Sequence, residues 1–332
     1  MTGVIGSGSW ATAVVKILLE RSGARVAWWV REQEIIEGVV NNHRNPCYLN
    51  EADLDSGRLL VTDDLARVLA ESDDVFVVVP AAFVAAAFDG ITPEMLEGKR
   101  LHSGVKGLLP DGCQTVTEFL HGRFGVPEEA MSVFVGPSHA EEAAKRKLTY
   151  LTVASSDRET AECARRLLSC QYIRTTYSAD MRGLEYSAVM KNVYAIAVGI
   201  GHGLGYGDNL TAVLVSNAIK ECGMFLEHLM PETSAAERNL MDFAYLGDLL
   251  VTSYSQFSRN RTFGSMIGRG YSVRSAQMEM NMVAEGYYAA RSVAAIAERL
   301  QVELPIAQTV YAILYENASP TRVMRRLMED LK

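Results

Sequence analysis

The chain has 332 residues, of which 48% are hydrophobic and 22% charged; that length exceeds one hydrophobic core, so a globular protein of two domains is expected. Its 40 acidic and 32 basic side chains leave a net charge of −8, which gives no general attraction for nucleic acid or an anionic membrane. The five cysteines, Cys47, Cys113, Cys163, Cys170 and Cys222, lack the paired short spacing of a zinc site or a disulfide framework, so neither a metal nor an oxidising compartment is expected and the cytoplasm fits best.

The first element carries the most information. Thr2 to Ile5 reads as a strand that runs into Gly6-Ser7-Gly8-Ser9-Trp10-Ala11 and then a helix from Thr12 to Glu20. In that order backbone N–H groups and a helix N-terminus meet at one point, which suits the pyrophosphate of a dinucleotide. Gly6 allows the tight turn, Gly8 lets the phosphates approach the backbone, and Ala11 stands where a third glycine usually brings helix and strand together. Any βα turn can use glycine in this way, so context decides. After the Ser22-Gly23 break, Arg25 to Val30 reads as a second parallel strand and completes a βαβ unit. Nothing before the first strand resembles a secretion signal.

The second strand ends on Arg31, with Glu32 only after it. Arg31 suits adenine stacking or a 2′-phosphate, which points to use of NADP(H) as well as NAD(H); a solvated loop charge is the alternative. Further along, Arg58 to Thr62 reads as a strand, Asp64 to Glu71 as a helix and Val75 to Val79 as a buried strand that gives way to a loop and helix at Pro80. The apolar run from Val75 to Phe88 is too short to span a bilayer. Lys99 to Ser103, Met131 to Val135, Leu151 to Ala154 and Tyr172 to Thr175 read as further strands, with a helix over Thr115 to Gly122. Strands alternating with helices define an α/β domain with a parallel sheet over residues 1–177.

From Met181 the spacing becomes helical, with segments over Glu185 to Ala197, Thr211 to Met230, Ala276 to Leu300, Pro305 to Glu316 and Thr321 to Leu331. Residues 178–332 are therefore expected to form an all-helical second domain, with Tyr271-Ser272-Val273 ambiguous and a cleft between the domains as the default substrate site. Met224, Phe225, Leu229 and Met230 suit either a partner surface or a core-facing helix.

Three places in this sequence can carry chemistry. Lys191-Asn192 interrupts an apolar helix between Met190 and Val193. A lysine enclosed there loses hydration, which lowers its pKa and makes it a candidate proton donor or acceptor; a lysine snorkelling at a helix edge is the other reading. Lys106, in the glycine-flanked loop Gly104-Val105-Lys106-Gly107, is a second candidate or an ordinary loop lysine. The third is a loop with Gly247-Asp248-Leu249 and then Ser258-Arg259-Asn260-Arg261. Its hydroxyl, guanidinium and amide donors suit phosphate oxygens, whereas Ser258 and Asp248 as helix caps would look the same.

Taken in order, these motifs resemble the NAD(P)-dependent sn-glycerol-3-phosphate dehydrogenase family in its bacterial form. The residues that carry the resemblance run from the Gly-Ser-Gly-Ser-Trp turn at Gly6 through Asn45 to Leu49, Val79-Pro80-Ala81, Val105-Lys106-Gly107, Gly136-Pro137-Ser138-His139-Ala140, Val189-Met190-Lys191-Asn192, Leu246-Gly247-Asp248-Leu249, Ser258-Arg259-Asn260 and Glu285-Gly286-Tyr287. The resemblance implies a Rossmann-type first domain, an NAD(P)H cofactor without metal, and dihydroxyacetone phosphate and sn-glycerol 3-phosphate as substrates. It implies Lys191 as the acid/base and Lys106 as a residue touching cofactor and substrate, with Asp248 as the orienter of Lys191 or of a substrate hydroxyl. Gly136, Ser138, Asp248, Ser258, Arg259 and Asn260 fall at substrate positions; Ser9, Trp10, Arg31, Phe83, Ala140, Glu285 and again Arg259 fall at cofactor positions. A homodimer is also implied. Ala11, Ala81-Ala82 and His139 depart from the family pattern and bear on cofactor geometry. Two other classes fit the residues: another two-domain hydroxy-acid dehydrogenase, with a carboxylate in place of the phosphate, and a non-catalytic NADPH-binding redox sensor.

Overall fold

In the computed structural model, which describes residues 1–233, 238–280 and 284–331, eight short strands form one sheet. They are β1 (Thr2–Ile5), β2 (Val26–Trp29), β3 (Leu59–Thr62), β4 (Asp74–Val77), β5 (Arg100–Ser103), β6 (Met131–Val135), β7 (Thr149–Ala154) and β8 (Ile173–Ser178). Their order is β3-β2-β1-β4-β5-β6-β7-β8, and every neighbouring pair is parallel except β6 with β7. The chain thus leaves β1 toward one edge and returns to its other side at β4. That reversal opens a crevice at the strand C-termini, where ligands of such sheets bind.

Eight helices accompany the strands: α1 (Ser9–Leu19), α2 (Gln33–Asn42), α3 (Leu65–Ala70), α4 (Ala81–Ala87), α5 (Pro93–Leu96), α6 (Val116–Phe124), α7 (Ala140–Ala144) and α8 (Arg158–Leu168). Sequence periodicity had suggested neither α2 nor α8. The start of α6 is legible in the chain itself, because Thr115 and Glu118 form a reciprocal capping box. The inner strands β1, β2, β4 and β6 are largely buried on both faces, and Trp28, Phe76 and Phe134 are fully buried between sheet and helices. One polar cluster lies within this core. Arg100 grips Asp74 with two bonds of 2.7 and 2.9 Å, and His102 links Asp74 (3.1 Å) to Ser132 (2.8 Å). Burial opposes ionisation of Asp74, yet the His102 and Arg100 contacts hold its pKa well below the usual carboxylate range.

The second compact unit comprises Lys106–Cys113 and Arg182–Lys332, while Met1–Val105 and Gln114–Met181 form the sheet unit. Its elements are α9 (Met181–Gly203), α10 (Asp208–Leu229), a π turn at Phe243–Gly247, α11 (Asp248–Tyr254), α12 (Arg259–Gly268), α13 (Val273–Glu279), α14 (Glu285–Leu300), α15 (Pro305–Tyr315) and α16 (Pro320–Asp330). Two expectations are corrected here and an open one is settled. The stretch from Gly247 to Arg261 holds α11 and the start of α12, with only 255–258 between them, rather than one loop. The helix expected from Ala276 to Leu300 is α13 followed by α14, with 281–283 outside the described residues. Ser272 settles the ambiguous segment, because it caps α13 by accepting the Ser275 N–H.

Close packing explains why α12 forms despite its two glycines. A methyl group at Gly264 would overlap the Ile196 carbonyl of α9, and one at Gly199 would overlap the Arg261 carbonyl of α12. The backbones of the two helices therefore touch, and tertiary contact outweighs the roughly 1 kcal/mol that each glycine costs a helix. On α10, Phe225 and Met230 belong to the core and Met224 is exposed.

Candidate active site

The Gly6-Ser7-Gly8 turn joins β1 to α1 at the reversal point of the sheet. Gly6 has φ +126°, and a Cβ there would lie 2.7 Å from the Val78 carbonyl oxygen, so only glycine lets the ends of β1 and β4 come this close. Gly8 is the extended N-cap of α1, and an added Cβ would meet nothing within 4 Å. The turn thus leaves room for a phosphate at the start of an eleven-residue helix whose first residues are Ser9 and Trp10. The residues present fit a dinucleotide pyrophosphate.

The other cofactor candidates are spread over both units. Arg31 has a 69% exposed side chain and pairs with Glu32 at 3.2 Å. Phe83 is exposed on α4, and Ala140 opens α7. Glu285 opens α14 in the helical unit. Gly136 has φ +145° at the end of β6, where a Cβ would lie 2.6 Å from the Tyr150 carbonyl oxygen; Ser138 donates to the Gly136 carbonyl at 2.9 Å.

In the helical unit the structure brings together Lys191, Lys106 and Asp248. Lys191 Nζ donates to Asp248 Oδ1 at 2.6 Å and to Thr252 Oγ1 at 3.1 Å, and Lys106 Nζ donates to Asp248 Oδ2 at 3.4 Å. The Lys191 side chain is 7% exposed and that of Asp248 2%, which excludes a snorkelling lysine. Asp248 begins α11, but its carboxylate turns to the lysines instead of capping the helix. Asn192, next to Lys191, donates to the Lys106 carbonyl at 2.8 Å and ties the 106–113 segment to α9. Thr252 and Asn192 were not singled out as ligands by sequence reasoning; the spacing of Thr252 from Asp248, one helical turn, was the available signal for the first.

The electrostatics follow from two ammonium groups sharing one enclosed carboxylate. Burial lowers the Lys191 pKa, Asp248 opposes that and Lys106 adds to it, with the result near 7. Burial works against ionisation of Asp248, but Lys106 and Lys191 hold its pKa below the ordinary carboxylate value. The cluster therefore contains a lysine that burial makes easier to deprotonate and, with both lysines charged, a local excess of positive charge.

Ser258 caps α12 by accepting the Arg261 N–H at 3.3 Å, so the capping interpretation of its side chain holds in this conformation. Arg259 follows as an exposed residue at the positive end of α12. Asn260 is buried; its Oδ1 accepts the Gly286 N–H at 2.9 Å. A methyl on Gly286 would lie 2.5 Å from the Asn192 carbonyl oxygen, which places the Asn260 segment beside the helical turn after Lys191. Among the described residues no group of three or more His, Cys, Asp or Glu side chains is arranged to hold a metal ion.

A sheet unit with a glycine turn at its reversal point, joined to a helical unit that encloses a lysine against an aspartate, matches the two-unit class of nicotinamide-dependent oxidoreductases. Comparison with known proteins narrows the class. The sequence profile described as the NAD-dependent glycerol-3-phosphate dehydrogenase N-terminus matches residues 2–161, and that of the C-terminus matches residues 180–325. A glycerol-3-phosphate dehydrogenase [NAD(P)+] of Syntrophotalea carbinolica is 35% identical over 330 residues, covering 98% of this chain and 97% of that protein. One from Salinibacter ruber is 35% identical over 326 residues, covering 98% and 93%. The crystal structure of a glycerol-3-phosphate dehydrogenase of Coxiella burnetii superposes with a TM-score of 0.90 at 29% identity, covering 99% of this chain and 98% of that one. The chain belongs to the NAD-dependent glycerol-3-phosphate dehydrogenase family.

Proposed function

We propose that this chain catalyses the reversible reduction of dihydroxyacetone phosphate to sn-glycerol 3-phosphate with NADH or NADPH, and so supplies the precursor of glycerophospholipids. The observation that carries this reading is the enclosed Lys191–Asp248–Lys106 cluster in a chain of this family. The reduced nicotinamide, when bound, supplies the hydride delivered to C2 of the substrate. Lys191 in its ammonium form donates to the C2 oxygen as negative charge builds there and transfers its proton to complete the alcohol. In the oxidative direction its neutral amine removes the hydroxyl proton. Asp248 holds the ammonium in place and favours its charged form, while Thr252 restricts its orientation. Lys106 adds a second positive charge within reach of substrate and cofactor.

Ser258, Arg259 and Asn260 hold the substrate phosphate, together with the Gly136 and Ser138 backbone and hydroxyl. Remote binding of this kind orients C2 without touching it. Gly6, Gly8, Ser9 and Trp10 receive the cofactor pyrophosphate; Arg31, Phe83, Ala140, Glu285, Lys106 and Arg259 complete the cofactor contacts. In this reading residues 1–177 supply most of the dinucleotide contacts, and residues 178–332 supply Lys191 and most of the substrate contacts, with Lys106, Gly136 and Ser138 added from the first part of the chain and Arg259 and Glu285 reaching the cofactor from the second.

The purified protein should oxidise NADPH and NADH on addition of dihydroxyacetone phosphate and release the sn-3 enantiomer, with EDTA leaving the rate unchanged because Lys191 already supplies the cation at the carbonyl. Reduction of a 3-oxo acid in place of the phosphate ester would overturn the substrate assignment; tight NADPH binding without turnover of any carbonyl compound would favour the redox sensor. Parallel kcat/KM values for the two cofactors test Arg31 as a 2′-phosphate ligand. Arg259→Ala is expected to raise KM for dihydroxyacetone phosphate at least about tenfold, as for a lost charge-assisted contact, and to weaken discrimination against unphosphorylated dihydroxyacetone. Steady-state kinetics with both compounds check this, and unchanged selectivity would remove Arg259 as the anchor. No described helix is long and apolar enough to cross a membrane. We place the enzyme in the cytoplasm as a homodimer, which sedimentation at working concentration distinguishes from a monomer.

A further inference from the structure

A turn that binds an anion through backbone N–H groups has a difficulty of its own: the same three residues carry three carbonyl oxygens, and any that faces the phosphates repels them. In the Gly6-Ser7-Gly8 turn each carbonyl is held by a donor from within the protein. The Gly6 carbonyl accepts Trp28 Nε1–H at 2.6 Å, and the Ser7 carbonyl accepts Asn45 Nδ2–H at 2.8 Å. The Gly8 carbonyl accepts the Thr12 N–H at 2.9 Å and the Thr12 hydroxyl at 3.1 Å.

Asn45 stands at the centre of this arrangement. It is fully buried, and its amide also donates to Thr12 Oγ1 at 2.8 Å, so the hydroxyl that Asn45 engages is the one that donates on to Gly8. Its Oδ1 accepts the N–H groups of Cys47 and Tyr48 at 3.1 and 3.0 Å. Both amide hydrogens and both acceptor directions are therefore occupied, and the two backbone donors fix which end of the amide faces the turn. The Ser7 carbonyl depends on this side chain directly, and the Gly8 carbonyl, already held by the first backbone bond of α1, gains its second donor from the hydroxyl that Asn45 engages.

We propose that Asn45 is a positioning residue for the cofactor: it holds the Ser7 carbonyl turned into the protein and steadies that of Gly8 through Thr12, so that the glycine turn presents only N–H groups to the pyrophosphate. The inference rests on the reading of that turn as the cofactor site. Asparagine is required because the position needs two donors on one side and an acceptor on the other. Aspartate keeps the acceptor for Cys47 and Tyr48, and hence the shape of the 45–48 segment, but loses both donors and adds a negative charge beside the phosphates.

Asn45→Asp separates the two functions. Titration of the variant with NADPH, followed by nicotinamide fluorescence, should show a Kd at least about tenfold higher than wild type, the scale of one lost buried hydrogen bond. The cofactor KM should rise in step, while kcat at saturating cofactor stays within about threefold. The melting temperature of the ligand-free protein is measured alongside. Thr12→Val removes the hydroxyl that accepts from Asn45 and donates to Gly8 but leaves the Asn45 bond to Ser7, and should give a smaller rise in Kd, also with kcat retained. Failure of the wild-type protein to bind NADPH would remove the cofactor reading itself. Wild-type binding with unchanged Kd in both variants, or a fall in kcat and melting temperature without a change in Kd, would overturn the role of Asn45; should Asn45→Asp not fold, an unchanged Kd in Thr12→Val would do so alone.

Discussion

Lys191→Ala is expected to lower kcat for reduction of dihydroxyacetone phosphate by about 100-fold or more, the scale of a positioned proton-transfer group, while the Kd for NADPH stays within about twofold. Lys191 is bonded to Asp248 and Thr252 and is not among the residues proposed to contact the cofactor, so loss of the ammonium removes charge stabilisation from the chemical step alone. The pH dependence has a definite sign. With the Lys191 pKa lowered to about 7, reduction, which uses the ammonium form, should fall as pH rises through that value, and oxidation, which uses the amine, should rise. The alanine variant should lose both limbs. Stopped-flow measurement of the hydride step across pH tests this; a wild-type pH profile in the variant would exclude Lys191 as the acid/base.

Asp248→Asn should be nearly as damaging, for a different reason. In the native protein Asp248 raises the Lys191 pKa against burial and against Lys106. Without its charge the remaining influences act in one direction, and the Lys191 pKa should drop further. At pH 7 less of the ammonium survives, so kcat for reduction should fall at least about tenfold, and the pH at which reduction is half-maximal should move downward. Some of the lost rate should return at lower pH, which loss of folding would not produce. Stability should respond as well. Because folding lowers the Lys191 pKa, the unfolded chain holds that proton between about 7 and the ordinary value of 10.5, so this group favours folding more as pH rises through that interval. In Asp248→Asn the lower edge of the interval should shift further down, and chemical denaturation at several pH values reads it directly.

Much of this site can be read along the chain because the relevant signals are local. The glycine turn is legible from Gly6, Gly8 and the strand before them, since the conformation of a βα turn depends on near neighbours. Lys191 is legible because a cation within an apolar helical repeat has to be enclosed or to escape, and its neighbours Met190 and Val193 indicate enclosure. The valine-rich strands are equally plain. By contrast, α12 reads as a loop because Gly264 and Gly268 weaken its intrinsic preference; the force that makes it helical is backbone contact with α9, which periodicity cannot register. Ser258 also shows the limit of reading residues by type. Its hydroxyl is engaged by the Arg261 N–H in the structure, so its suitability for a phosphate rests on more than the presence of an oxygen.

The strands of the sheet, the change to helices after residue 177, the glycine turn at Gly6 and the enclosure of Lys191 are all legible along the chain, because turn conformation, hydrophobic period and side-chain type act over a few residues. Folding alone brings Lys191 to an aspartate 57 residues away, Lys106 to the same carboxylate, and the Asn45 amide to a carbonyl 38 residues before it. Those partnerships, and the pKa values that follow from them, depend on distances between groups remote along the chain and on the exclusion of water around them, and both quantities come into existence only when the chain has folded.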